Sequence, residues 1–221
     1  MSTPGATAVF GGTFNPFHCG HLGSARDLFS VLPLRELRFV PAAQPPHRDA
    51  PGVSAEHRAR MVELAIADDA RPRCDRRELE RAGPSYTVDT LQSLRDELGA
   101  EASLMLVVGC DAVLDLPRWR HWERLLDLAH IVVLARPGWE FPVDGTVHDL
   151  LQDRSATAQE LGSIPAGRTR VQELTPRDVS ATQIRALLQS GDEVSRLVPH
   201  PVIEYIREHG LYTGATGPTQ E

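Results

Sequence analysis

A short apolar run, Ala6 to Phe10, leads into GGTFNPFHCGHL, after which Leu22, Ala25, Leu28 and Phe29 recur at helical spacing. A buried strand, a glycine-rich turn and an amphipathic helix in that order confine the start of the chain to a βα unit, the building block of parallel sheets. Gly11 and Gly12 would let a ligand approach the backbone, and Gly20 keeps the helix entrance free of a Cβ. His18 and His21 lie three apart. With the helix beginning near Gly20, both imidazoles reach the space above its positive end and can donate hydrogen bonds to a polyanion. A histidine pair at this spacing could also be half of a metal site, but no cysteine or carboxylate cluster nearby completes it. Taken alone, the segment also fits an ordinary strand-to-helix turn.

The 221 residues, 41% of them apolar, can bury a substantial core, and the expectation is a single domain spanning 1–221 with a loose tail from about Thr213. No apolar run approaches the roughly 18 residues of a membrane span and no leader is recognisable, which predicts a cytoplasmic protein without a membrane partner. Cys19, Cys74 and Cys110 are odd in number and widely spaced, which argues against a disulfide framework and a zinc motif. A net charge of −7 disfavours a nucleic-acid partner but leaves room for a local anion site. All 23 lysine-type or arginine-type residues are arginine. That removes mechanisms requiring lysine, among them a Walker loop, a protein kinase and a Schiff base.

Further strands are expected at Leu37 to Val40, Leu104 to Val108, Ile131 to Leu134 and Arg170 to Leu174. Between them lie helical patterns. Ser54 can cap a helix in which Met61, Leu64, Ala65 and Asp68 share a face, Thr87 can cap another running to about Leu98, and a short helix fits around Thr146 to Leu161. Alternating β and α predicts an α/β fold, a doubly wound parallel sheet with helices on both faces, whose ligands bind at the carboxyl ends of the strands. Several segments sit just past such ends. PAAQPPHRD presents His47 and Arg48 on a proline-stiffened loop; GCDAVLDLPRW offers Gly109, Asp111 and Trp119; ARPG places Arg136; and RAGPSYTVDT adds Ser85, Tyr86 and Thr87 near a helix start. Each alone is compatible with a structural role.

The second motif is VSATQIR, Val179 to Arg185. Ser180 is placed to cap a helix continuing through Leu187 and Leu188, while Thr182 and Arg185, three apart, can share a face. Hydroxyl, amide and guanidinium donors would converge there as in a phosphate site, arginine supplying what lysine supplies elsewhere. An ordinary capped helix with a surface arginine also fits the segment.

In this order, GGTFNPFHCGHL and VSATQIR resemble the HxGH and ISSTxxR signatures of the nucleotidyltransferase superfamily. More narrowly, the chain resembles the bacterial nicotinate-nucleotide adenylyltransferases through PPHR, LAIAD, RELERAGPSYTVDTL, VVGCDAVLDLPRW, HIVVLARPG and VIEYIREHGLY, over about residues 6 to 212. The resemblance implies a Rossmann-like fold with a small C-terminal helical portion. It implies transfer of AMP from MgATP to nicotinate mononucleotide, giving nicotinate adenine dinucleotide and pyrophosphate, with Mg2+ carried on ATP, no dedicated metal ligands and no tightly bound prosthetic group.

Carried over by position, the resemblance assigns His18, His21 and Arg185 to catalysis. Gly11, Gly12, Thr13, Phe14, Gly20, Gly109, Asp111, Ser180 and Thr182 would join them in binding ATP. His47, Arg48, Ser85, Tyr86, Thr87, Trp119 and Arg136 fall on the nicotinate-nucleotide side. Phosphates beside His18 and His21 are expected to favour their protonated form. Asn15 stands where the family often has Asp, VSAT replaces ISST, and Arg120 follows the tryptophan. Nicotinamide mononucleotide or phosphopantetheine as acceptor, and a non-catalytic nucleotide sensor, stay open as alternatives. The helices after Thr182 are a candidate contact in a homo-oligomer.

Overall fold

The computed structural model describes residues 5–44, 52–136 and 138–213. Its six strands are β1 (Ala6–Gly12), β2 (Leu34–Pro41), β3 (Pro72–Cys74), β4 (Leu104–Gly109), β5 (His130–Ala135) and β6 (Thr169–Glu173). They form one all-parallel sheet in the order β3-β2-β1-β4-β5-β6. Strand order therefore reverses between β1 and β4. That is the point where an open α/β sheet leaves a crevice at its carboxyl edge.

The helices among the described residues are α1 (Cys19–Val31), α2 (Ala55–Ile66), α3 (Arg77–Glu80), α4 (Thr87–Leu98), α5 (Cys110–Leu114), α6 (Leu125–Leu128), α7 (Gly145–Asp153), α8 (Ala158–Ser163), α9 (Ala181–Ser190) and α10 (His200–Glu208). Alternation along the strands feeds two cores. Met105 and Val107 face α1, α2, α9 and α10, whereas Leu104, Leu106 and Val108 face α4 to α7. Val132 and Leu134 repeat the split against Ile131 and Val133. Both faces of the sheet are thus covered, which is why its central strands read as continuous apolar runs.

Three local expectations need correction, and one strand was not foreseen. β3 (Pro72–Cys74), a three-residue edge strand of sequence PRC, carries no apolar pattern and was not legible. Thr87 is the first residue of α4 rather than its cap; the N-cap position is Tyr86, whose side chain makes no capping bond. The single helix expected around Thr146 to Leu161 is two, α7 and α8, because Thr157 starts a new helix with a capping box to Glu160. Asp68 lies beyond the end of α2. Ser54 and Ser180 do cap, accepting the N–H groups of His57 and Gln183. Among the described residues all three cysteines are free, and no helix is long and apolar enough to cross a membrane.

Candidate active site

The turn after β1 lies at the carboxyl edge of the sheet, beside the point where strand order reverses. His18 occupies the N-cap position of α1, so it forms the helix entrance itself instead of standing above it. The first amide of α1, that of Cys19, already donates to the Leu197 carbonyl at 2.8 Å. His21 lies one turn on. The two imidazoles stack with centroids 3.7 Å apart, and His21 is boxed by Phe10, Phe14 and Phe17 at 6.3, 5.0 and 5.0 Å.

The protein's own field opposes the protonated rings expected from the sequence. Burial, helped by the Arg136 charge, lowers the His18 pKa to about 4, and burial next to His18 holds His21 well below its ordinary value. Neutral rings still suit an anion. His21 Nδ1 accepts the His18 backbone N–H at 3.2 Å, which assigns the ring proton to Nε2 and leaves that nitrogen a donor without a full charge. Among the described residues His18 Nδ1 is buried with no hydrogen-bond partner.

The two motifs, some 160 residues apart, meet here. An added Cβ on Gly20 would fall 2.8 Å from Val179 Cγ1 and 2.9 Å from His18 Nδ1, so glycine is what lets α9's approach pack on the α1 entrance. One helical turn into α9, Arg185 Nη1 donates to the Asn15 carbonyl at 2.7 Å while Nη2 reaches Thr182 Oγ1 at 3.3 Å. Gly11, Gly12, Thr13, Phe14, His18, Gly20, His21, Ser180, Thr182 and Arg185 thus belong to one neighbourhood. Phe14 is held there at φ +49°, a left-handed backbone that costs a non-glycine residue about 1–3 kcal/mol.

A second cluster lies across the switch point. Gly109 is the N-cap residue of α5, and Asp111 in its first turn pairs with Arg136 at 3.2 Å, both side chains exposed. Arg136 therefore sits beside Asp111, and close enough to His18 to act on its pKa. The third cluster is the start of α4. Ser85 Oγ accepts the N–H groups of Ala43 and Gln44 at 3.1 and 3.3 Å, tying this segment to the chain leaving β2. The Arg120 guanidinium stacks 4.7 Å over Tyr86, and half-buried Trp119 packs on the core under α4 to α7. His47 and Arg48 lie outside the described residues.

Sequence reasoning missed several residues around these clusters. Arg58 is fully buried behind the β1 turn, Tyr212 bonds Asn15, and the buried carboxylate Glu78 accepts from Thr90 at 2.6 Å. Arg58 had a signal: on α2 it shares the apolar stripe of Met61 and Val62, where a charge should not stand unless bonded. Among the described residues no group of three metal-ligating side chains gathers.

The cytidylyltransferase-like family model matches residues 9–187. A probable nicotinate-nucleotide adenylyltransferase of Pseudomonas aeruginosa (strain UCBPP-PA14) is 48% identical over 204 residues, 92% of this chain and 95% of that protein. A similarly described protein of Marinomonas sp. (strain MWYL1) is 40% identical over 206 residues, 93% of each chain. Among solved structures, the Plasmodium falciparum nicotinic acid mononucleotide adenylyltransferase complexed with NaAD superposes with a TM-score of 0.68 at 17% identity, covering 94% of this chain and 97% of that one. That last likeness concerns the fold.

Proposed function

This chain belongs to the cytidylyltransferase-like family and, within it, to the nicotinate-nucleotide adenylyltransferases, and from that premise we infer that it transfers AMP from ATP to nicotinate mononucleotide in NAD biosynthesis. The products are nicotinate adenine dinucleotide and pyrophosphate. The observation that carries the reading is the convergence of the two histidines with Arg185 around one strained turn at the sheet's switch point.

In this reading a phosphate oxygen of nicotinate mononucleotide attacks the α-phosphorus of ATP in line, the bond from that phosphorus to the β-phosphate bridging oxygen breaks, and pyrophosphate leaves with the electron pair. The attacking oxygen is ionised at neutral pH, so no general base is required. The work of the protein is alignment and charge stabilisation. His21 Nε2–H and the Arg185 guanidinium supply donors to the phosphates, Ser180 and Thr182 hold the start of α9, and Gly109 and Asp111 flank the adenosine. Mg2+ enters on ATP, whose phosphate oxygens are the hard donors it prefers.

Ser85, Tyr86 and Thr87 take the pyridine side. The start of α4 carries no side-chain cap, and helix N-termini favour a carboxylate over a neutral amide; this is the physical basis for choosing nicotinate over nicotinamide. The protein acts as a single domain in the cytoplasm.

The test is pyrophosphate release from MgATP with nicotinate mononucleotide, nicotinamide mononucleotide or phosphopantetheine supplied separately, each product identified by mass. Strong preference for the nicotinate substrate is expected, and preference for another acceptor moves the pathway. His21→Ala should lower kcat by roughly 10² to 10³. A near wild-type rate would remove His21 from the mechanism.

A further inference from the structure

Arg58 is the largest side chain buried at or below 1% exposure among the described residues, and its hydrogen-bond acceptors there are all backbone carbonyls. Its Nε donates to the Val53 carbonyl at 3.2 Å, Nη1 to that of Thr13 at 2.7 Å, and Nη2 to those of Ala42 and Ala43 at 2.7 and 3.4 Å. No side-chain ion pair is formed by Arg58 among the described residues. A buried guanidinium without a counter-ion is a heavy desolvation cost, tolerated only where its donors are satisfied and its position fixed.

The direction of those bonds matters more than their number. In a trans peptide the C=O and the following N–H point opposite ways. Drawing the Ala42 and Ala43 carbonyls to Arg58 turns the Ala43 and Gln44 N–H groups to the other side, where Ser85 Oγ accepts both. Drawing the Thr13 carbonyl to Arg58 likewise turns the Phe14 N–H away from the protein interior side of the turn. Phe14 is the residue at φ +49°, and its other neighbour, Asn15, is gripped by Arg185. Two arginines on different helices therefore hold the Thr13–Phe14 and Asn15–Pro16 peptide units, one on each side of the strained residue, with the Phe14–Asn15 unit between them.

We propose that Arg58 is a positioning residue for adenylyl transfer, fixing the Thr13–Phe14 peptide so that its N–H faces the ATP phosphates and locking the β1 turn to the segment leaving β2. The inference rests on the reading of the crevice as the ATP site. One guanidinium thereby couples the phosphate side of the crevice to the Ser85 side.

Arg58→Lys keeps the charge but cannot span the Thr13 and Ala42 carbonyls together. The expected result, on protein with wild-type circular dichroism, is a kcat lowered roughly 10² fold, the size of effect produced by a misplacement of about 1 Å, with a smaller rise in KM for nicotinate mononucleotide, at most about the tenfold expected on losing the Ser85 hydroxyl from the same two peptides. Arg58→Met should be no better than Arg58→Lys. A folded Arg58→Lys enzyme with wild-type kcat would overturn the proposal, as would activity that falls only in proportion to the unfolded fraction. If neither variant folds, hydrogen exchange on the unaltered protein decides: the Phe14 amide should exchange freely without nucleotide and become protected once a non-hydrolysable ATP analogue is bound, binding being checked by its Tm shift, and an amide whose protection does not change would overturn it. Failure of the wild-type protein to use ATP would instead refute the functional reading, and the exchange result stands apart from that.

Discussion

The Tyr212 hydroxyl donates a 2.6 Å hydrogen bond to Oδ1 of Asn15, 197 positions earlier in the chain. Burial pushes the Tyr212 pKa well above its usual value, so the phenol stays a donor at every working pH. The chain beyond α10 thus returns to the turn that carries His18, and Tyr212 itself is held at φ +62° to make the bond.

Removing that hydroxyl leaves the Asn15 amide oxygen without the phenol. Tyr212→Phe should lower stability by about 1 kcal/mol, read from the urea midpoint, and should reduce kcat by several-fold because Asn15 adjoins Phe14. Asn15→Asp should keep both near wild type, since a carboxylate oxygen accepts from the same hydroxyl. An unchanged midpoint in Tyr212→Phe would show that the bond contributes nothing net.

Ser85 holds the exit of β2 by accepting two backbone amides. Nearby stands Glu78, whose pKa burial raises although it accepts a hydrogen bond from Thr90. Ser85→Ala should therefore raise KM for nicotinate mononucleotide by roughly tenfold, about the weight of one hydrogen bond, while KM for ATP stays within about twofold. Steady-state kinetics with each substrate varied separates the two; a parallel rise in both would assign Ser85 to the fold alone.

The histidine pair predicts a pH dependence of stability. A His18 pKa lowered to about 4 in the folded protein, against about 6.5 unfolded, means that the unfolded chain binds more protons between those values. Stability from this group is complete above pH 6.5 and is lost as pH falls toward 4. Thermal unfolding of wild type should show a Tm declining over that window, and His18→Ala should flatten the decline. A bound ATP analogue offsets the penalty by placing anionic charge at the rings, so its Tm shift should grow as pH falls from 7 to 5. A ligand shift independent of pH would separate the rings from the phosphates.

The βα unit at the start of the chain was legible because its signals are local: an apolar run, glycines, then helical spacing. The same holds for the Ser54 and Ser180 caps, which need only a hydroxyl three residues before a free amide. Thr87 misled because a hydroxyl next to a helix start can as easily be its first residue. β3 left no signal, being specified by pairing with β2 rather than by its own side chains. For the site, residue types and order indicated His18, His21 and Arg185 as anion donors, but their protonation did not follow from the motif. Burial and ring stacking set it.

By itself, then, the sequence determined the alternation of strands and helices, the doubly wound parallel sheet and the two motifs at strand ends, because these depend on periodicity and on residues close in the chain. Only the tertiary structure decided that Val179 packs on Gly20, that Arg185 and Tyr212 both grip Asn15, and that Arg58 stands behind Thr13. Those contacts join residues 40 to 200 positions apart, and no local propensity encodes a partner that distant. They arise when two cores close on opposite faces of one sheet and bring its carboxyl edge together.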